Sequence, residues 1–313
     1  MAYAFDPELV AVIPQFPRLD CRDVHTARAQ LSQRTAQLPA PDTTGLVISD
    51  RRVPGRNGDP EVLVRLYRPA RPAARAAIYD VHAGGFMLGG LELDHARNVT
   101  LARELGVLVA AVEYRLAPET PFPGPLEDVY TGLDWLAAHG DELGIDPRRI
   151  ALHGISAGGG LCAGLTLLAR DRGGPHVAFQ FLAIPVVDDR LATPSMVAYT
   201  DTPGWDQRNA TLSWDAYLGP GKAGSDAVSP YAAPARATDL TGLPPAYVSV
   251  MHFDPLRDEG IAYALALLAA DVPVELHLFP GTFHGSSGVQ QAAISRREAS
   301  EAITVLRHAL ALT

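Results

Sequence analysis

Lysine is all but missing from this chain: among 313 residues it occurs once, as Lys222, and the arginines are spread rather than gathered. A face that binds phosphates needs clustered basic side chains, and the net charge is −9, so nucleic acid is not an expected partner. Solubility is sufficient explanation for the acidity. Cysteine is almost as scarce. Cys21 and Cys162 stand far apart and neither belongs to a C-x-x-C pair, so no redox motif or structural metal site is expected. Cys162 lies among Ala, Gly and Leu and reads as a small core residue. No basic segment followed by an apolar one opens the chain, so no secretory leader is expected. The most apolar stretches are interrupted by Asp or Arg before they reach membrane-spanning length. The resulting expectation is a soluble cytoplasmic protein with no membrane partner. No internal repeat is found.

Apolar residues, by contrast, are abundant. They make up 47% of the sequence against 19% charged, a balance that supports one large buried core with an insertion. From about residue 45 onward, short β-branched runs alternate with helical patterns. The patterns predict strands at 62–67, 76–81, 107–113, 150–154, 178–185, 246–252 and 274–279. They predict helices at 95–105, 126–143, 157–170, 258–270 and 289–310. Runs such as 107–112 are apolar throughout, as strands buried on both faces are. The alternation predicts an α/β fold, a mostly parallel central sheet flanked by helices. Its ligand site should lie beyond the carboxyl ends of the strands. Two segments break the alternation. Residues 1–45 are helix-prone, and residues 188–242 hold Pro, Gly, Trp205 and Trp214 without strand periodicity. The second is too long for an idle loop in a compact domain. The expected organisation is a main domain of residues 46–187 and 243–313 under a helical cap made of residues 1–45 and 188–242.

The residues that carry chemistry fall just after strands. The run RIALHGISAGGG leaves a strand at Gly154, passes Ser156 and enters a helix, a G-x-S-x-G in strand–turn–helix context. Such a turn strains the serine backbone and lifts Oγ above the sheet, with strand and helix so close that only glycine fits on either side. Ser156 also stands at a helix N-terminus, which favours negative charge. Strand 76–81 runs into His82-Ala83-Gly84-Gly85-Phe86. The N–H groups of Gly84, Gly85 and Ala157 are candidate donors to an oxyanion, and His82 is expected to buttress their loop. A serine nucleophile needs a base. His284, in LFPGTFHGSSG after the last strand, is the candidate. His153 would point to the other side of the sheet, His277 lies inside a strand, and His139 and His308 fall on helices. The orienting acid should follow a strand between Ser156 and His284. Asp254 in SVMHFDPLRDEG does so; its competitor Asp258 is assigned to the helix start with Glu259. The order Ser156…Asp254…His284 is not that of chymotrypsin or subtilisin.

The stretches HAGGF (82–86), EYRLAPET-PFPGPLED (113–128), GISAGG (154–159), DPLRDEG (254–260) and FHG (283–285) together resemble the bacterial hormone-sensitive-lipase family (family IV) of esterases. AFQFLAIP (178–185), SPYAAPARATDLTGLPPAYVS (229–249) and ELHLFPGTFHG (275–285) are most similar to its heroin-esterase branch. The resemblance implies the α/β-hydrolase fold and a serine carboxylesterase that hydrolyses acetyl-like short-chain esters through an acyl-enzyme. It implies no cofactor, a small-molecule ester as partner, a cap built from the N-terminus and an insertion after the sixth strand, and frequent homodimerisation. Phe86, Trp205, Trp214 and Tyr217 are candidate apolar walls for the ester. Two positions depart from the family. Ala83 stands where Gly is usual, and if that position required a left-handed backbone, Ala would cost roughly 1–2 kcal/mol. Ile155 stands where a polar residue, often Asp, is usual, which removes a supporting hydrogen bond. Two other functions compete. Some relatives are small-molecule receptors that have lost the catalytic histidine, whereas this chain keeps His284. Others use the acyl-enzyme for acyl transfer or another non-hydrolytic biosynthetic step, for which Ala83 and Ile155 leave room.

Overall fold

The computed structural model describes residues 3–16 and 19–312; residues 1, 2, 17 and 18 of the expected cap, and residue 313 of the main domain, lie outside it. Among the described residues eight strands form one sheet: β1 (Leu46–Val53), β2 (Val62–Pro69), β3 (Ala77–Val81), β4 (Leu108–Glu113), β5 (Ile150–Ile155), β6 (Phe179–Ala183), β7 (Ala246–Phe253) and β8 (Val274–Phe283). Their order is β1-β2-β4-β3-β5-β6-β7-β8. The pairs β1–β2 and β2–β4 are antiparallel and every other pair is parallel.

In chain order the helices are α1 (Pro7–Val10), α2 (Val24–Ala36), α3 (His95–Leu105), α4 (Gly124–Ala138), α5 (Gly140–Leu143), α6 (Ala157–Arg172), α7 (Pro194–Ala198), α8 (Gln207–Leu218), α9 (Arg257–Ala269) and α10 (Ala293–Ala309). One face of the sheet packs on α4, α6 and α9 through Leu133, Leu161 and Leu267. The other packs on α3 and α10 through Leu101, Leu105 and Leu306. Two covered faces explain why β3 to β7 are buried along nearly their whole length. Fully burying a Val or Leu side chain contributes about 1.5–3 kcal/mol, so strands such as β4 supply much of the folding free energy.

Several expected bounds move. β1 is absent from the expected strands, because its half-exposed, Asp- and Arg-bearing sequence LVISDRRV dilutes the apolar signal. The expected helix 126–143 is two, α4 and α5, divided at His139. The expected strand 178–185 ends at Ala183, and Ile184 has a left-handed backbone (φ 43°). β8 runs on to Phe283: an irregularity between Met251 and Phe253 lets pairing resume at Phe253 and Phe283. The last helix begins at Ala293 rather than 289. The other elements lie within two residues of expectation.

The two segments outside the alternation hold α1 and α2, and α7 and α8. Asp23, Thr193 and Asp206 cap α2, α7 and α8, each accepting a backbone N–H of the first turn. The segments join each other. Asn209 of α8 accepts from Cys21 N (3.2 Å) and donates to Leu19 O (3.0 Å). Asp6 N donates to Gly281 O at 2.9 Å, tying the N-terminal segment to β8. No helix among the described residues is long and apolar enough to cross a membrane.

Candidate active site

Ser156 follows β5 with φ 57° and ψ −119°, a conformation that costs a non-glycine residue about 1–3 kcal/mol. The surroundings impose it. A Cβ on Gly154 would lie 2.3 Å from Gly158 O, and one on Gly158 would lie 2.0 Å from Val81 O. Only glycine lets β5, α6 and β3 converge this closely. The Ser156 N–H donates to Ala183 O at 2.9 Å, which pins the turn to the end of β6.

Asp254 follows β7 and His284 follows β8, so three strand ends deliver three side chains to one point. His284 Nδ1 is 2.8 Å from Asp254 Oδ2, and Nε2 is 3.0 Å from Ser156 Oγ. A carboxylate only accepts, so the proton of the neutral ring belongs on Nδ1, and Nε2 is left to accept from the Ser156 hydroxyl. Asp254 Oδ1 is held by Leu256 N at 2.9 Å. Asp254 is fully buried, and Ser156 and His284 are 4% and 8% exposed. The hydrogen-bonded chain is therefore shielded from bulk water.

The loop after β3 lies against the first turn of α6, where a Cβ on Gly158 would also touch His82 O. The N–H groups of Gly84, Gly85 and Ala157 donate to no acceptor among the described residues. Gly84 and Gly85 have φ of 131° and 58°, and Phe86 has φ 61°. Ala83 has no positive φ, so its methyl group carries no left-handed penalty; the strain falls on Phe86 instead. His82 buttresses the loop as expected. Its Nδ1 donates to Ala83 O at 2.8 Å and its ring stacks on Tyr114 at 4.0 Å, whose hydroxyl donates back to His82 O. Ile155 packs half-buried against the apolar cluster on the face of the sheet that α3 and α10 cover.

The four aromatic candidates form two groups. Phe86 and Tyr217 stack at 4.1 Å with planes 9° apart, and Trp214 lies 5.5 Å from Phe86. The Phe86 ring reaches the first turn of α6, its Cζ lying 3.7 Å from where a Cβ of Gly160 would be. Trp205 lies across Gly85, where a Cβ would be 2.5 Å from its Cη2, and its ring centre is 6.1 Å from that of His284. Its neighbour Gly204 is so close to the His284 carbonyl that a Cβ would sit 2.1 Å from the oxygen. The Trp205 and Trp214 indole N–H groups and the Tyr217 hydroxyl are buried without a partner among the described residues.

The remaining candidates lie elsewhere. His153 faces Asp80, 2.7 Å away. His277 meets Glu301, and His139 Nδ1 donates to Trp135 O at the end of α4. Asp258 does begin a helix, and it also accepts from Ser195 N at 2.7 Å, fastening α7 to α9. Glu259 lies with it in the first turn of α9, as expected, but is buried. It is 1% exposed and accepts from Val187 N and Asp188 N. Sequence reasoning also missed Phe16, whose ring packs at 5.0 Å on Phe283, next to His284. No periodicity or motif marks it.

A family model described as the alpha/beta hydrolase fold matches residues 78–287. The carboxylesterase NlhH of Mycobacterium tuberculosis is 40% identical over 290 residues, covering 90% of this chain and 88% of that protein. The ethyl acetate hydrolase of Pseudomonas putida is 34% identical over 262 residues, covering 82% and 81%. Among solved structures, a bacterial heroin esterase is 52% identical with a TM-score of 0.94, covering 98% of both chains.

Proposed function

The chain belongs to the hormone-sensitive-lipase family (family IV) of α/β hydrolases and is a carboxylic ester hydrolase, and from that premise we propose that Ser156 is its nucleophile, His284 its base and Asp254 its orienting acid. The observation that carries this reading is the unbroken chain from Asp254 through His284 to Ser156, at 2.8 and 3.0 Å.

Neutral His284 takes the Ser156 proton on Nε2 while Oγ bonds to the ester carbonyl carbon, and the carbonyl π pair moves onto oxygen. Gly84, Gly85 and Ala157 N–H groups stabilise that oxyanion, which exists only after attack. Asp254 holds the tautomer and stabilises the imidazolium. Collapse breaks the bond to the alcohol oxygen, which leaves with the proton from His284, and the acyl group remains on Ser156. Water then gives a proton to His284 as it attacks, and collapse returns the proton to Ser156 and releases the carboxylic acid.

Short acyl groups suit the site. We infer that the Phe86–Tyr217 stack, whose Phe86 tip reaches the first turn of α6, bounds the acyl side and favours acetyl over long chains. The ethyl acetate hydrolase among the relatives supports the same class. Residues 1–45 and 188–242 act as the cap, with Gly204 and Trp205 over His284 and Gly85. The test is the full-length Ser156→Ala variant with p-nitrophenyl acetate. Turnover is expected to fall about 10⁴-fold or more; hydrolysis at the wild-type rate would refute the assignment.

A further inference from the structure

A cavity of about 780 Å³ lies behind the loop that carries Gly84 and Gly85, and none of its walls belongs to Ser156, Asp254, His284 or the Phe86–Tyr217 stack. Its volume is within the range of small-molecule sites. One wall is α2 with the following residues, represented by Leu31, Leu38 and Pro41. The rest of the lining is the Gly89–Leu93 part of the loop, Leu63 and Arg65 of β2, His95 at the start of α3, and Glu113 at the end of β4.

The charges around it are unequally satisfied. Arg28 uses Nε on Met87 O, Nη2 on Ala117 O, and both Nη atoms on Glu119. Arg65 uses Nε and Nη2 on Asp50 and Nη1 on Glu92. Each guanidinium charge is already met by carboxylate, Arg28 by Glu119 and Arg65 by Asp50 and Glu92. Four carboxylates, those of Asp50, Glu92, Glu113 and Glu119, stand against these two cations. Glu113 makes no ion pair among the described residues. Its Oε2 accepts from Leu91 N at 2.8 Å, while Oε1 has no hydrogen-bond partner among them. Gly90, at φ 152°, lies directly against that carboxylate: a Cβ there would be 2.8 Å from Oε1.

We propose that this cavity is a second, non-catalytic binding site for a small organic cation with an apolar body, its ammonium group on Glu113 and its hydrocarbon among Leu31, Leu38 and Leu63. A half-buried carboxylate with one free oxygen, among arginine and carboxylate charges that are paired with one another, attracts a cation more strongly than an exposed one, because less water competes. An anion of the same shape would meet the surplus of negative charge. The site touches the loop from behind: a Cβ on Gly89 would be 2.4 Å from Ala83 O and 2.9 Å from His82 Nδ1. An occupant therefore bears on the segment that holds Gly84 and Gly85 without entering the space above Ser156.

Titration calorimetry of the full chain with benzyltrimethylammonium tests this, with benzoate as the probe of opposite charge. Saturable binding of the cation and none of benzoate is expected. Glu113→Gln keeps an acceptor for Leu91 N but removes the charge, and it should weaken the cation about tenfold or more. Leu38→Arg, at a site 59% exposed and so tolerant of change, puts a competing cation on the rim and should weaken it likewise. Inhibition of p-nitrophenyl acetate hydrolysis, if any, should not be competitive. The proposal is overturned by absent or benzoate-preferring binding, by unchanged affinity in both variants, or by competitive inhibition with a constant equal to the dissociation constant. The calorimetry needs no turnover, so its result is separate from that of the Ser156 assignment.

Discussion

Asp80 and His153 sit opposite each other in the register of β3 and β5, and their side chains meet 2.7 Å apart, 1% and 2% exposed. Asp80 also accepts from Asn98 of α3 at 2.8 Å. The pair thus ties the strand leading to the Gly84–Gly85 loop to the strand leading to Ser156. Burial raises the Asp80 pKa, but the hydrogen bond and charge of His153, then Asn98 and Arg97, outweigh it and hold the carboxyl below its ordinary value.

Removing the Asp80 carboxylate should therefore be costly. Asp80→Ala leaves the buried His153 ring and Asn98 amide without their acceptor, and an unsatisfied buried polar group costs about 1–3 kcal/mol. Because the folded pKa is depressed, the stabilisation is present above the unfolded value of about 3.9 and is lost as pH falls through the folded one. Chemical denaturation between pH 3 and 7 should show a falling acid limb in the wild type that is diminished in Asp80→Asn. An unchanged midpoint in Asp80→Ala at neutral pH would contradict this.

Glu259 has the opposite sign. Burial raises its pKa well above the carboxylate range; the N–H groups of Val187 and Asp188 oppose this, and the nearby charges of Asp188 and Asp254 add to it. Between the unfolded value and the raised folded one, the folded state holds a proton that the unfolded state has released. Stability therefore falls with rising pH between the unfolded value, about 4.3, and the folded one, by up to about 1.4 kcal/mol per pH unit. Glu259→Gln keeps the acceptor for both N–H groups and removes the titration. Its stability should gain on the wild type as pH rises from 5 to 8, measured by denaturant midpoints. Parallel pH curves would count against a protonated Glu259.

Gly85→Ala tests the proposed oxyanion donors. The added methyl would lie 2.5 Å from Trp205 Cη2, so either the indole or the loop must move. Loss of one donor lowers turnover by about 10²–10³. That loss is expected in kcat for p-nitrophenyl acetate, with far-ultraviolet circular dichroism unchanged. A kcat within twofold of wild type would remove Gly85 from the role.

Tyr217→Ala tests the acyl limit. Deleting the ring stacked on Phe86 frees Phe86, whose tip reaches the first turn of α6, to move aside. The ratio of kcat/KM for p-nitrophenyl octanoate to that for the acetate should rise at least about tenfold, the scale of a few methylenes of apolar contact. An unchanged ratio would mean that the stack does not bound the acyl chain.

The sheet and the three central side chains were readable because each carries a local signal. Ser156 has glycines on both sides between a strand and a helix, and Asp254 and His284 each directly follow an apolar run. What was not readable depends on residues far apart in sequence. Asp80 and His153 interrupt apolar strands and look like isolated polar residues until β3 and β5 are paired. Phe86 and Tyr217 meet only when α8 packs over the loop after β3. β1 was invisible because half its side chains face water. Ala83 shows the limit differently: the substitution drew attention to its own backbone, while the left-handed conformation belongs to Gly84, Gly85 and Phe86.

Reaction with a fluorophosphonate, followed by peptide mass mapping, probes the proposed nucleophile most directly. One phosphonyl group per chain on Ser156, with stoichiometric loss of esterase activity and no label in Ser156→Ala, is the predicted result. Label on another residue, or an unlabelled Ser156 in enzyme that still hydrolyses p-nitrophenyl acetate, would contradict it.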